Sequence, residues 1–254
     1  MTYPQVAAIV LAAGKGKRIN AKEINKTMLF LANKPMVAYT IENLEKLKLG
    51  QIIMVVGFAR EATMNFFKKR IDYAWQKKRL GTGHAVGVGL KKVKPHLSYI
   101  LVSYGDDSAF YPVKILTDLI KVGSQKEVAF AFLTLKKKDP TGLGRVVRDQ
   151  AGQLLGIVEE KNATPSQLRI KEINAGTYCL KRQFLEKYLP KIKKNPVTGE
   201  YYITDLVDLA LKDGLKVETV ALPSEAYWHG VNTKEQLLEA DQKMRLKLLK
   251  NNVR

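Results

Sequence analysis

The 254-residue chain is 46% hydrophobic and carries 43 basic against 24 acidic residues, a formal charge of +19. That length and apolar content can bury a substantial core, as one large domain or two lobes. A single cysteine, Cys179, excludes an internal disulfide framework, and no run is long and apolar enough to span a membrane or act as an export signal, so a cytoplasmic protein is expected.

Read in chain order, Val6–Ala12 forms a short strand apolar on both faces, and it ends in "AAGKGKR". Gly14 and Gly16 permit backbone shapes that a Cβ would forbid, while Lys15, Lys17 and Arg18 surround the turn with positive charge. Such a turn either cradles a phosphate or is a solvated strand-to-helix connection. It is neither a Walker A loop, whose G-x-x-x-x-G-K-[ST] spacing is absent, nor a dinucleotide fingerprint, because Ile19 stands where the third glycine belongs.

Helical periodicity then predicts Met36–Leu47, Glu61–Arg70, Gly83–Val93 and Pro112–Val122, alternating with strands at Ile52–Gly57, Tyr99–Ser103 and Val128–Leu135. The alternation implies an α/β domain with a mainly parallel sheet, whose ligands sit at the carboxyl ends of strands. Both "LAAGKGKR" and "SYGDDS" lie at such ends. The second half opens with a hairpin pattern, "GRVVRDQAGQLLGIVEEK", and a further strand, "KEINAGTYCLK", in which Cys179 reads as a small buried hydrophobe. Helices at Arg182–Tyr188 and Ile203–Lys212, a strand at Lys216–Leu222 and a basic helix from Thr233 to about Leu249 complete the chain. No internal repeat and no long linker interrupts it.

The basic charge fits a nucleic-acid binder, a membrane-surface protein or an enzyme for polyanionic substrates. The cations form small scattered groups, among them Lys68–Arg70, Lys77–Arg79 and Lys136–Lys138, with no zinc-ligand spacing or aromatic RNA-binding signature. A nucleic-acid partner is therefore not expected.

"LAAGKGKR", Lys26, "NKPMVAYTI", "RLGTGHAV", "YGD", "DPTGLGRVVRD", "GIVEEKNAT", "EINAGTYC", "GEYYITDLVDLA" and "GVN" occur in one order from about Val6 to about Leu238. In this the chain resembles the uridylyltransferase domain of the bacterial bifunctional N-acetylglucosamine-1-phosphate uridylyltransferase/acetyltransferases, within the sugar-phosphate nucleotidyltransferase superfamily. The resemblance implies a Rossmann-like nucleotidyltransferase fold, a mixed mainly parallel sheet flanked by helices, with a smaller β-rich sugar-binding lobe. It implies one domain over residues 1–254: a nucleotide-binding half to about 135, a sugar-binding half over about 136–232 and a basic helix over 233–254. The implied reaction joins UTP to a sugar 1-phosphate with Mg²⁺ and releases pyrophosphate, a step in nucleotide-sugar biosynthesis for the cell wall.

The resemblance also assigns roles. Arg18 and Lys26 match phosphate-contacting cations. Leu11, Ala12, Ala13 and Gly14, with Gln76, Gly81, Thr82, Tyr104 and Gly105, match the nucleotide side, where an amide can donate to and accept from uracil together. Gly144, Glu159, Asn174, Thr177, Tyr202 and Thr204 match the sugar side, with Glu159 rather than Glu160 facing inward. Asp106 and Asn232 match the metal ligands, and Asp107 is a competing carboxylate. His84 is expected to support its loop rather than to move protons. The alternatives are a uridylyl- or thymidylyltransferase for glucose 1-phosphate or another sugar, and a non-catalytic regulatory or nucleic-acid-binding relative. Many family members carry proline where this chain has Asn25, and a hydrophobic residue with Pro-Leu where it has Asp107, Ser108 and Ala109. The chain stops at Arg254 without the family's left-handed β-helix, so neither acetyl transfer nor the trimer built by that domain is expected of it.

Overall fold

The computed structural model describes residues 2–19 and 23–252, except the side chains at 17, 251 and 252. The strands are β1 (Tyr3–Ala12), β2 (Phe30–Leu31), β3 (Lys34–Pro35), β4 (Leu49–Val56), β5 (Asp72–Trp75), β6 (Tyr99–Tyr104), β7 (Val128–Lys136), β8 (Arg145–Arg148), β9 (Leu154–Val158), β10 (Glu172–Lys181) and β11 (Lys216–Ala221). The helices are α1 (Met36–Lys46), α2 (Arg60–Phe67), α3 (Thr82–Leu90), α4 (Val113–Gly123), α5 (Pro165–Leu168), α6 (Arg182–Tyr188), α7 (Asp205–Lys212) and α8 (Lys234–Asn252).

The main sheet runs β11-β7-β10-β6-β1-β4-β5, and the β8–β9 hairpin hangs from β10. Along that order pairing is parallel except at β10, which inserts antiparallel between β6 and β7; β8 and β9 also pair antiparallel. The mixed, mainly parallel α/β sheet expected from the sequence is thus observed. β1 explains its two faces by parity. Val6, Ala8, Val10 and Ala12 enter one core with Ile41, Leu44 and Leu119, under α1 and α4. Ala7 and Ile9 enter the other, with Val86, Leu185 and Leu206, under α3, α6 and α7. A strand buried on both faces must be apolar throughout, which is what the sequence shows.

Cys179 is buried in β10, and burial pushes its thiol up to about 12. It packs as a small hydrophobe and is no nucleophile. Pro112 stands at the N-cap of α4 rather than inside its first turn. The sequence-predicted helix at 61–70 stops earlier, at Phe67, and its last residues form a 3-10 turn. Three short elements have no counterpart in the sequence reading: β5, the β2–β3 hairpin and α5.

The long α8 lies on a third apolar cluster made of Ala240 and Met244 with Leu31, Met36, Tyr39, Phe110 and Val231. Polar ties fix its register: Asp241 Oδ1 accepts from Ala32 N at 2.6 Å, and Lys247 Nζ donates to the Phe110 carbonyl at 3.0 Å. Among the described residues no helix is long and apolar enough to cross a membrane.

Candidate active site

Sheet register gathers the carboxyl ends of the central strands. Ala12 pairs with Val56 and Leu11 with Tyr104, while Trp75, opposite Val56, leads directly to Gln76. The segments following these strands open onto one cleft of about 740 Å³. Leu11, Ala12, Ala13, Gly14, Lys26, Gln76, Gly81, Thr82, Tyr104 and Asp106 line it together with Gly144, Glu159, Asn174, Tyr202 and Asn232. Gly105 sits just behind, its N–H bonded to the Leu11 carbonyl at 3.0 Å.

The glycines after β1 differ in purpose. Gly16 has φ +62°, and a Cβ there would stand 2.9 Å from Lys26 Cβ, so both backbone shape and packing demand glycine. Gly14 has open space around it and an unexceptional φ; its missing side chain leaves room in the cleft. Lys15 reaches toward the Phe58 ring, with Nζ 5.5 Å from its centroid. The Lys17 side chain lies outside the described residues.

Lys26 is the pivot of the charged end. Its ammonium pairs with Asp106 Oδ2 and also donates to Asn232 Oδ1 at 3.0 Å. Arg18 donates to that same oxygen at 3.0 Å. A backbone bond from Val231 N to the Asp106 carbonyl, 3.2 Å, brings the "HGVN" segment alongside the "YGD" turn. Two oxygen donors far apart in sequence are therefore held together around a positive charge. This arrangement fits a hard divalent cation, which takes a few protein oxygens and completes its shell with phosphate and water. Arg18 lines an adjoining groove of about 1240 Å³ beside α8, which shares Asn232 with the main cleft.

Asp107 lines the same cleft but makes no ion pair with Lys26. It is buried, its Oδ1 has no hydrogen-bond partner, and burial, then the neighbouring Asp106 charge, holds its carboxyl well above the usual carboxylate range. The carboxylate that meets the lysine is Asp106.

Gln76 is buried and oriented from behind. Its Nε2 donates to the Gly81 carbonyl at 3.2 Å and lies 2.9 Å from His84 Nδ1. Burial lowers the His84 pKa, so the ring is neutral at physiological pH and supports the amide. Gly81, at φ +100°, has no room for a Cβ, which would meet Tyr201 O at 2.5 Å. Backbone bonds from Gly83 N to Tyr201 O and from Tyr201 N to Leu80 O, both 2.8 Å, pin this loop to the "GEYYITD" segment. Thr82 Oγ1 adds a bond from Ile203 N at 3.0 Å. Thus the "LGTGHA" and "YYITD" motifs form one junction.

The adjacent glutamates have separate surroundings. Glu160 takes Arg145 Nη2 at 2.9 Å and Gly142 N at 2.6 Å, a structural role. Glu159 faces the cleft beside Gly144 and accepts from Thr204 Oγ1 at 2.9 Å; burial raises its pKa against that bond. Asn174 donates to the Tyr178 hydroxyl at 2.7 Å and turns its oxygen to Gly176 N at 3.2 Å. The structure corrects two placements. Thr177 is fully buried and its hydroxyl meets Ser103 at 3.2 Å, so it lies within the sheet and not in the cleft. Thr204 is also buried and reaches the cleft only through Glu159. Tyr202 lines the cleft, its hydroxyl donating to Thr198 at 2.7 Å.

Two participants escaped the sequence reading. Arg79 lines the cleft mouth, although its triplet with Lys77 and Lys78 reads as surface charge; its place directly before "LGTGHA" was the available signal. Asn25, noticed only as a departure from a proline, is buried at the centre of the loop cluster.

The fold and cleft define a nucleotidyltransferase. The family model described as nucleotidyl transferase matches residues 7–246, and the chain belongs to that family. Its relatives include the bifunctional protein GlmU of Caldicellulosiruptor saccharolyticus, 34% identical over 247 residues, covering 96% of this chain and 53% of that protein. GlmU of Francisella philomiragia is 37% identical over 239 residues, covering 93% and 51%. The chain spans about half the length of these curated relatives. A Bacillus anthracis crystal structure assigned as a glucose-1-phosphate thymidylyltransferase, in complex with a sucrose, superimposes with a TM-score of 0.78 at 20% identity, covering 93% of this chain and 94% of that one. That likeness is one of fold.

Proposed function

We propose that the protein transfers the uridylyl group of UTP to N-acetylglucosamine 1-phosphate, giving UDP-N-acetylglucosamine and pyrophosphate. The observation that carries this reading is the meeting of Lys26, Asp106 and Asn232 at one end of a cleft that also holds the Gln76 amide and the Glu159–Asn174 pair. Cations and metal-ligating oxygens suit a triphosphate, an amide suits a pyrimidine edge, and a carboxylate with an amide suits sugar hydroxyls and an N-acetyl group.

The chemistry needs no general base. A sugar phosphate has a second pKa near ~6, so its attacking oxygen is already ionised at neutral pH. One of its oxygens forms a bond to the α-phosphorus while the bridging bond to the β-phosphoryl group breaks. Both partners are anions, so the protein's task is to hold them in line and neutralise their charge. Leu11–Gly14 and Gln76 would seat the uracil, and Lys26, with Arg18 at its side, would meet the phosphates. Gly144 would offer backbone where a side chain would crowd the sugar. Asp106 and Asn232 would hold Mg²⁺, which supplies positive charge to the triphosphate and to the pyrophosphate as it leaves. Such a reaction belongs in the cytoplasm, where nucleoside triphosphates are made.

The Bacillus anthracis likeness keeps a second reading specific: a thymidylyl- or uridylyltransferase for glucose 1-phosphate. Pyrophosphate release with four nucleoside triphosphates against several sugar 1-phosphates, with Mg²⁺, separates the two. The proposal expects the highest efficiency with UTP and N-acetylglucosamine 1-phosphate. Preference for glucose 1-phosphate, with dTTP or with UTP, would replace it with the second reading.

A further inference from the structure

Asn25 is 1% exposed, and its side chain makes five hydrogen-bond contacts that join three loops. The two N–H groups of its Nδ2 are shared among three carbonyl oxygens, those of Ala12 at 2.7 Å, Gly14 at 3.1 Å and Phe58 at 3.1 Å. Its Oδ1 accepts from Thr27 N at 2.9 Å and Thr27 Oγ1 at 2.8 Å. Ala12 and Gly14 flank the turn that lines the nucleotide side, Phe58 follows β4, and Thr27 is the residue after Lys26. The backbone of Asn25 is ordinary extended chain, φ −62° and ψ 138°, at the N-cap of the Lys26–Met28 3-10 turn, where its side-chain oxygen accepts from Thr27 N. Its reason is the side chain. Three carbonyls that converge on one point repel one another, and an amide nitrogen is the group that joins them, while its own oxygen holds the next turn.

We infer that Asn25 is a positioning residue for the nucleotidyl transfer: it sets Lys26 against the Leu11–Gly14 turn, so that the cation meets the phosphates while the turn holds the base. Two further contacts show how little play the arrangement has. Lys26 Cβ lies 2.9 Å from where a Cβ on Gly16 would stand, so the loop packs directly on the lysine stem. The ammonium at the far end is already engaged by Asp106 and Asn232. Asn25 fixes the root of that side chain and the acidic end fixes its tip. A misplacement of about 1 Å in a positioned group can cost on the order of a hundredfold in rate. The inference rests on the reading of Lys26 as a phosphate-binding cation.

The test compares wild type, Asn25→Ala and Asn25→Asp, each also in a Lys26→Met background, by steady-state kinetics well below the melting temperature. Asn25→Asp keeps the shape and the acceptor for Thr27 but turns an oxygen toward three carbonyls. Both single variants should lose about tenfold or more in kcat. Their KM for the sugar 1-phosphate, which binds across the cleft, should stay within about twofold. In the Lys26→Met background the further loss of kcat should nearly vanish, because a residue that acts through Lys26 has nothing left to position. A purely structural role predicts instead a lower Tm with kcat preserved, or losses that multiply in the double variants; either result overturns the inference. If neither variant folds, Asn25 belongs to the fold and the inference fails. A wild type that releases no pyrophosphate with any substrate pair fails the proposed function itself, a result distinct from active Asn25 variants.

Discussion

Removing the Lys26 charge should make metal binding tighter in the absence of nucleotide, although it should impair turnover. The ammonium of Lys26 stands between Asp106 Oδ2 and Asn232 Oδ1, the two oxygens assigned to the cation. Both charged side chains are largely shielded, at 13% and 23% relative exposure, so their attraction is only partly screened. A metal entering the free protein must break that pair. Charged hydrogen bonds of this kind contribute about 1.5–3 kcal/mol net. At about 1.4 kcal/mol per factor of ten, Lys26→Met should tighten metal binding by roughly ten- to a hundredfold. The methionine keeps most of the stem length and removes the competitor. The assay is Mn²⁺ binding followed by the loss of its free-ion electron spin resonance signal, at fixed ionic strength and without nucleotide. Arg18→Met is the control: it touches Asn232 but not the carboxylate, so its effect should be smaller. Equal or weaker Mn²⁺ affinity in Lys26→Met would show that the lysine does not occupy the metal's place.

Asp106→Ala should cost on the order of a hundredfold or more in turnover, and Asn232→Ala less, because water replaces a neutral ligand more readily than a charged one. Their effects should be non-additive across a Mg²⁺ titration, with circular dichroism unchanged; near-normal turnover of Asp106→Ala at limiting Mg²⁺ would refute the assignment. UTP should be favoured over CTP on the order of a hundredfold or more, since cytosine mismatches the buried amide, and Gln76→Leu should erase most of that preference; equal efficiencies in wild type would remove Gln76 from base recognition. Asp205 is held up to about 6 by burial, then by Asp208 and Glu159. A raised carboxyl favours the fold in its protonated form, so this stability is complete below the ordinary value of 3.8 and is lost as pH rises through about 6. The Tm of Asp205→Asn minus that of wild type should therefore grow between pH ~4 and pH ~7 and level off above; a flat difference would refute the shift.

Much of the scaffold was legible because strands buried on both faces must be continuously apolar: β1, β4, β6 and β7 all announce themselves this way. β5 was not, being a four-residue edge strand with one fully buried side chain. Nor was the β2–β3 hairpin, two residues on each side and including Pro35. Strand order was beyond local patterning altogether, since the antiparallel insertion of β10 depends on tertiary pairing. Thr177 was assigned by motif resemblance, and only the strand shows it turned into the sheet, beyond a register shift between Asn174 and Tyr178 around Gly176 at φ +74°. Asp106 and Asn232 could be matched by motif, but only folding shows their oxygens meeting at Lys26. Asn25 showed in the sequence only as a departure from a proline, because the carbonyls it meets are supplied by two other loops.

The most direct test of the central claim follows the phosphorus atoms. Wild-type protein is incubated with N-acetylglucosamine 1-phosphate, Mg²⁺ and UTP radiolabelled at either the α- or the γ-phosphorus, and the products are separated. The account predicts that the α label enters the nucleotide sugar and the γ label leaves in pyrophosphate, in equal amounts. Label released as inorganic phosphate, or an α label that never joins the sugar, would contradict it.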